Sequence, residues 1–196
     1  MPGLMEPEAA AKAMLAGIPV LLIDRKISSG KYTAFVGADN FQIGKEVGVY
    51  AVNLLNGKGN VVEISGLNGS TPASERHNGF MSVIGKYPEI KVVNKSNGDW
   101  LRNQAREKMT EALQTKIPID LVFAQNDEMA IGAREAISAT SGIKKPILLG
   151  IDALPGADGG IQKVLNGVID ATIIYPTGGE KAIQIAVRIL NNEPYD

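Results

Sequence analysis

Seven short apolar runs in this chain each stop at polar or aromatic residues, and those stops hold most of the side chains able to do chemistry. They are Asp24 and Arg25, Asp39 and Asn40, the loop from Leu67 to Ser70, Asp99 and Trp100, Asn126 and Asp127, Asp152, and Tyr175. Carboxylates, an amide, a guanidinium and two aromatic rings suit a neutral polyol. Each hydroxyl both donates and accepts, so Asp, Asn and Arg can grip vicinal pairs while a C–H face lies against a ring.

Other chemistries are poorly served. The chain has no cysteine, which excludes disulfides, thiolate catalysis and Cys-based metal sites. His77 is the single histidine, so a Ser-His-Asp triad would have to use it and a histidine-rich metal site is excluded. It stands after Ser74-Glu75-Arg76 and reads as a solvated helical residue, with no cysteine or second histidine as partner. No G-x-G-x-x-G follows the first strand, and Ser28-Ser29-Gly30-Lys31-Tyr32 lacks the upstream glycine and the following Ser or Thr of a phosphate loop. No cofactor and no metal are expected. A net charge of -1 with both signs dispersed suggests no nucleic-acid surface. No apolar run approaches the roughly 20 residues of a membrane span. No charged-then-apolar leader precedes Pro2, so any export address is expected outside this stretch.

Each residue also has a plainer role. Asn126 and Asp127 suit helix capping, with Asp127 expected at the N-cap and Asn126 at the strand tip. Asp24 would serve to turn the chain, Asp152 to cap a loop, and Trp100 to pack. What favours a site is the recurrence of such residues at strand ends, because open parallel sheets bind ligands at the carboxyl ends of their strands.

The elements follow from periodicity and punctuation. Strands are expected at 18–23, 33–36, 60–64, 90–94, 119–124, 146–150 and 167–174. Helices are expected at 6–16, 41–55, 72–86, from after the loop ending at Trp100 to 116, 127–140, 160–165 and 180–191, with Pro72 at a first helical position. Ser28 to Lys31 reads as a turn. Regular alternation of strand and helix gives an α/β fold with an open, doubly wound parallel sheet, since each parallel crossover needs a returning helix.

Four motifs carry a family resemblance: Ile18-Pro19-Val20 through Asp24-Arg25, Ala73-Ser74-Glu75-Arg76-His77-Asn78-Gly79-Phe80, Phe123 to Ala130, and Gly150-Ile151-Asp152. The chain resembles the ribose and galactose group of type I periplasmic sugar-binding proteins over nearly its whole length. The resemblance implies non-catalytic binding of a monosaccharide between two lobes, by the solute-binding component of a sugar transporter or by the input domain of a membrane histidine kinase, in the periplasm. It implies hydroxyl contacts from Asp24, Arg25, Arg76, Asn126 and Asp152, ring stacking on Trp100, and an apolar contact from Leu67. Ala38 stands where ribose-binding relatives have a serine, and Tyr175 stands near their last glutamine contact, which points away from ribose. The Tyr175-Pro176-Thr177-Gly178-Gly179 loop is similar to that of kinase-linked sugar sensors, some of which read fructose. The effector domain of a LacI-type repressor shares the fold and is the alternative.

Against that family the chain is expected to be short at its front. Residues 1–36 would be a remnant of the first lobe, 37–174 the complete second lobe, and 175–196 a hinge return and helix belonging to the first. The loss would expose apolar surface, for which association with a second copy is a remedy.

Overall fold

The computed structural model describes residues 7–27 and 31–195. The start of the first helix at Glu6 and most of the turn from Ser28 to Lys31 lie outside the described residues. In chain order the elements are α1 (Pro7–Leu15), β1 (Leu21–Ile23), β2 (Ala34–Val36), α2 (Asn40–Leu55), β3 (Gly59–Ser65), α3 (Thr71–Ile84), β4 (Ile90–Asn97), α4 (Arg102–Gln114), β5 (Leu121–Ala124), α5 (Asp127–Ala139), β6 (Ile147–Asp152), α6 (Gly160–Leu165), β7 (Ala171–Ile174) and α7 (Gly179–Leu190). They form two compact units, one of Asn40–Tyr175 and one of Met1–Asp39 with Pro176–Asp196.

The larger unit is built on a five-stranded parallel sheet in the order β4-β3-β5-β6-β7. Alternate side chains along each strand enter opposite cores. Val61, Leu121, Phe123, Leu149 and Ile151 pack with Val47 and Ala51 of α2 and Phe80 and Ile84 of α3. Val62, Ile64, Val122, Ala124 and Leu148 pack with Ala105 and Met109 of α4 and Met129 and Ala133 of α5. Burial on both faces explains why these strands read as continuous apolar runs rather than as alternating ones. Each fully buried Val, Leu, Ile, Phe or Met side chain contributes about 1.5–3 kcal/mol, and Phe80 and Phe123 add a tilted ring contact at 4.7 Å between centroids.

The chain leaves β3 outward to β4 and then returns to the far side of β3 to lay down β5. The connections from the ends of β3 and β5 therefore diverge to opposite faces of the sheet. That divergence is the switch point at which such sheets take ligands.

The helices on each face cross at glycines. A Cβ at Gly79 of α3 would stand 2.0 Å from the Phe41 carbonyl oxygen of α2, and one at Gly44 of α2 would stand 2.1 Å from the Arg76 carbonyl oxygen. On the other face, a Cβ at Gly132 of α5 would be 2.0 Å from the Arg102 carbonyl oxygen.

Element ends differ from the sequence reading for local reasons. β1 starts at Leu21 rather than Ile18: Pro19 has no N–H to give, and the Val20 N–H donates to the Thr33 hydroxyl at 2.9 Å instead of to a strand. β4 continues to Asn97, with its register against β3 shifting between Val61 and Val62. β7 begins only at Ala171, because Gly167 turns the chain at φ 67° and the Asp170 carboxylate is held by Arg134 and the Leu148 N–H. Pro72 is the second residue of α3, after Thr71.

In the smaller unit, β1 and β2 form a parallel pair, and α7 buries Ala182 and Ile185 with Val36, joined by Leu21, Ala34 and Ile189. Its opposite face leaves Ile183, Val187 and Leu190 exposed. No helix among the described residues is long and apolar enough to cross a membrane.

Replacing Gly79 by alanine should destabilise the larger unit by about 1–3 kcal/mol, since the added methyl meets backbone that cannot move aside. Urea unfolding followed by the emission of Trp100, the only tryptophan, checks this. An unchanged midpoint would contradict the close helix crossing.

Candidate functional site

Arg76 occupies the centre of the carboxyl edge. It lies on the second turn of α3, which the loop after β3 launches from Ser70, and the residue is only 4% exposed. Its Nε donates to Asn40 Oδ1 at 2.8 Å, and Nη1 donates to the Gln125 carbonyl. The guanidinium carbon stands 5.4 Å from the Trp100 ring centroid and 5.0 Å from that of Tyr175. Two fixed acceptors and two aromatic rings thus orient a cation that would be costly to bury alone.

Trp100 is held by the turn after β4. The Gly98 N–H donates to the Ser65 carbonyl at 2.8 Å, and Asn97 and Asp99 exchange bonds through the Asp99 N–H and the Asn97 side chain. Asp99 and Trp100 both adopt left-handed backbone, with φ of 53° and 67°. The indole lies directly on Gly66, where a Cβ would come within 2.1 Å of the ring.

Asn126, not Asp127, is the N-cap of α5: its Oδ1 accepts from the Met129 N–H at 2.8 Å, and its Nδ2 donates to the Trp100 carbonyl at 3.3 Å. Asp127 is the first helical residue and turns inward. Its carboxylate fills a notch left by Gly150 and Gly160, where Cβ atoms would come within 2.2 and 1.8 Å of it. Oδ2 accepts from the Ala153 N–H at 2.9 Å. Burial raises the pKa of this carboxyl above its usual value, against the opposing pull of the Thr172 hydroxyl and the Ala153 N–H. Asp127 therefore secures the turn that carries Asp152, whose φ is 131° and whose carbonyl accepts from the Tyr175 N–H at 3.1 Å.

Leu67 is half-buried, and its carbonyl accepts from both the N–H and the hydroxyl of Ser70, closing the loop before α3. The larger unit thus gathers Arg76, Trp100, Asn126, Asp152 and Tyr175 at one edge, with Leu67 beside them next to Gly66. Asp24 and Arg25 belong to the smaller unit. They follow β1, with Asp24 at φ 70°, and its Oδ2 lies 3.4 Å from Arg25 Nε. Non-glycine residues at positive φ are uncommon, and a bulky one is an outlier. They occur here at Asp24, Asp99, Trp100, Asp152 and Ala153, and also in the turns at Asn56, Lys116 and Asn192.

Several supporting residues escaped the sequence reading. Asn40, a strand-tip neighbour of Asp39, is buried and anchors Arg76. Gln125 and Glu63 are fully buried and bonded to each other at 2.8 Å. His77 is not simply solvated: its Nδ1 meets Glu63 Oε2 at 2.7 Å. A carboxylate inside the apolar run Val61-Val62-Glu63-Ile64 was the available signal. Among the described residues, no group of three or more His, Asp or Glu side chains is arranged to hold a metal ion.

The fold is that of a doubly wound α/β protein, with the candidate site at the carboxyl edge of its sheet. The family model for the periplasmic binding protein domain matches residues 5–194, and the chain belongs to that family. The fructose binding periplasmic domain of a hybrid two component system superposes with a TM-score of 0.93 at 49% identity, over 96% of this chain and 63% of that one. The ribose import binding protein of Haemophilus influenzae is 31% identical over 94% of this chain and 62% of its own length. The galactofuranose-binding protein of Escherichia coli is 36% identical over 79% and 49%. The chain therefore spans about half to three fifths of the length of these relatives.

The Asp127 shift has a definite sign. Its folded pKa lies above the ordinary 3.8, so the stability it allows is complete below that value and is lost as pH rises through the folded pKa. Asp127→Asn keeps an oxygen for the Ala153 N–H and removes the titration. The variant should gain stability relative to the parent as pH rises above 3.8, measured as urea midpoints across a pH series. A difference independent of pH would contradict the buried-carboxylate assignment.

Proposed function

We propose that the chain serves non-catalytic binding of a neutral monosaccharide, with Trp100 as the stacking face, Leu67 and Tyr175 as flanking contacts, and Arg76, Asn126, Asp152, Asp24 and Arg25 as hydroxyl partners. The observation that carries this is the buried Arg76 guanidinium, fixed by Asn40 and Gln125 beside two aromatic rings at the sheet's switch point. A planar donor set next to a ring face matches a sugar, which presents hydroxyls at its rim and C–H groups on its faces. No nucleophile paired with a base accompanies these residues, which favours binding over catalysis.

Fructose is the first sugar to test, and a kinase-linked sensor the first role. Identity is 49% to the fructose binding domain of a two component system but 31–36% to the transport relatives above. Delivery to a sugar transporter is the second role, supported by the names those relatives carry. Either role places the domain in the periplasm.

Titrating fructose and a panel of neutral pentoses and hexoses into a form of the protein that carries both lobes should give a saturable change in Trp100 emission for at least one sugar, with a weaker response from the 196-residue chain alone. Asp152→Ala should weaken that sugar's binding by about 1–3 kcal/mol, the cost of leaving a hydroxyl without its partner. A flat response of the two-lobed form to every sugar up to high millimolar concentration would overturn the reading.

A further inference from the structure

We propose that His77 is a positioning residue for the sugar edge, acting from the outer side of α3 through a buried hydrogen-bonded relay. This rests on the sugar-binding reading and names a residue that touches none of the proposed ligand contacts itself.

The relay can be followed bond by bond. His77 Nδ1 meets Glu63 Oε2 at 2.7 Å, and Glu63 Oε1 accepts from Gln125 Nε2 at 2.8 Å. Gln125 Oε1 then accepts from the Gly66 N–H at 2.9 Å, while the Gln125 carbonyl accepts from Arg76 Nη1. Gly66 is the surface on which the Trp100 indole lies. One residue therefore sets both, the plane under Trp100 through its carboxamide oxygen and one anchor of Arg76 through its backbone carbonyl.

The Gln125 carboxamide has little freedom of its own. Its nitrogen also donates to the Ala73 carbonyl at 3.2 Å, and the residue is fully buried. Its orientation, oxygen toward Gly66 and nitrogen toward Glu63, requires Glu63 to present an acceptor there. Glu63 is likewise fully buried, and its second oxygen is met by His77, whose side chain is 26% exposed. Take the imidazole away and a buried carboxylate oxygen loses its partner, a costly state that is relieved by rotating the carboxylate or admitting water. Either response shifts the Gln125 nitrogen's acceptor, and with the carboxamide the Gly66 N–H and the Trp100 ring that lies on Gly66. Fully satisfied buried networks fix one geometry in this way.

The test compares His77→Leu, which removes the donor, with His77→Asn, whose side-chain amide nitrogen stands near the position of Nδ1. His77→Leu should shift the emission maximum of Trp100 in the sugar-free folded protein and weaken sugar binding about tenfold. His77→Asn should restore both toward the parent. Urea midpoints of all three proteins are measured alongside. If His77→Leu lowers only the midpoint, leaving Trp100 emission and sugar affinity unchanged, His77 is merely structural and the proposal is overturned. If the parent binds no sugar, the functional reading falls separately, and the sugar-free emission still decides whether His77 positions Trp100: an unshifted maximum in His77→Leu overturns the proposal, a shifted one restored by His77→Asn upholds it.

Discussion

A guanidinium out of water needs its charge and its N–H groups answered, and the burial of Arg76 sets that requirement for the whole carboxyl edge. Asn40 at the start of α2 and the Gln125 carbonyl after β5 supply acceptors, and Trp100 and Tyr175 supply ring faces. Those four residues come from four places in the chain. Arg76 is thus the point at which α2, α3 and the ends of β4, β5 and β7 are made to agree. Removing any one partner leaves a buried charge less well compensated, so the arrangement holds as a set.

The sheet order makes that convergence possible. Because β4 lies outside β3 while β5 lies inside it, the loops after β3 and β5 part at the edge and leave room above the sheet. Trp100 reaches into this room from the β4 loop only because Gly66 has no side chain. The cost is backbone held in sparsely populated conformations at Asp99, Trp100, Asp152 and Ala153. Asp127 offsets part of it by anchoring the turn at Ala153 from inside two glycine notches.

The architecture was legible because strands buried on both faces and helices punctuated by glycine leave strong one-dimensional signals. Thus α2, α5 and α6 fall within a residue or so of their expected bounds. The strand-tip positions of Trp100, Asn126, Asp152 and Tyr175 were also legible, since polar and aromatic side chains at the ends of apolar runs stand out, whereas Arg76, inside α3, was picked out only by the family resemblance. What the sequence hid was assignment between neighbours. Asn126 and Asp127 are both good caps by type, and only burial in the notch of Gly150 and Gly160 decides that Asp127 goes inward and Asn126 caps. Likewise Glu63, Gln125 and His77 are 62 and 14 residues apart along the chain, and no local pattern announces that they form one network.

Side-chain-resolved NMR of the chain during a fructose titration tests the central claim most directly, since the indole of Trp100, the Asn126 carboxamide and Arg76 Nε each give a distinct N–H resonance. The account predicts saturable shifts concentrated on these three signals. Shifts that are absent there and gather instead at the amino end of the sheet, around Asp120 and Lys144, would show that the Arg76 edge is not where sugar is held.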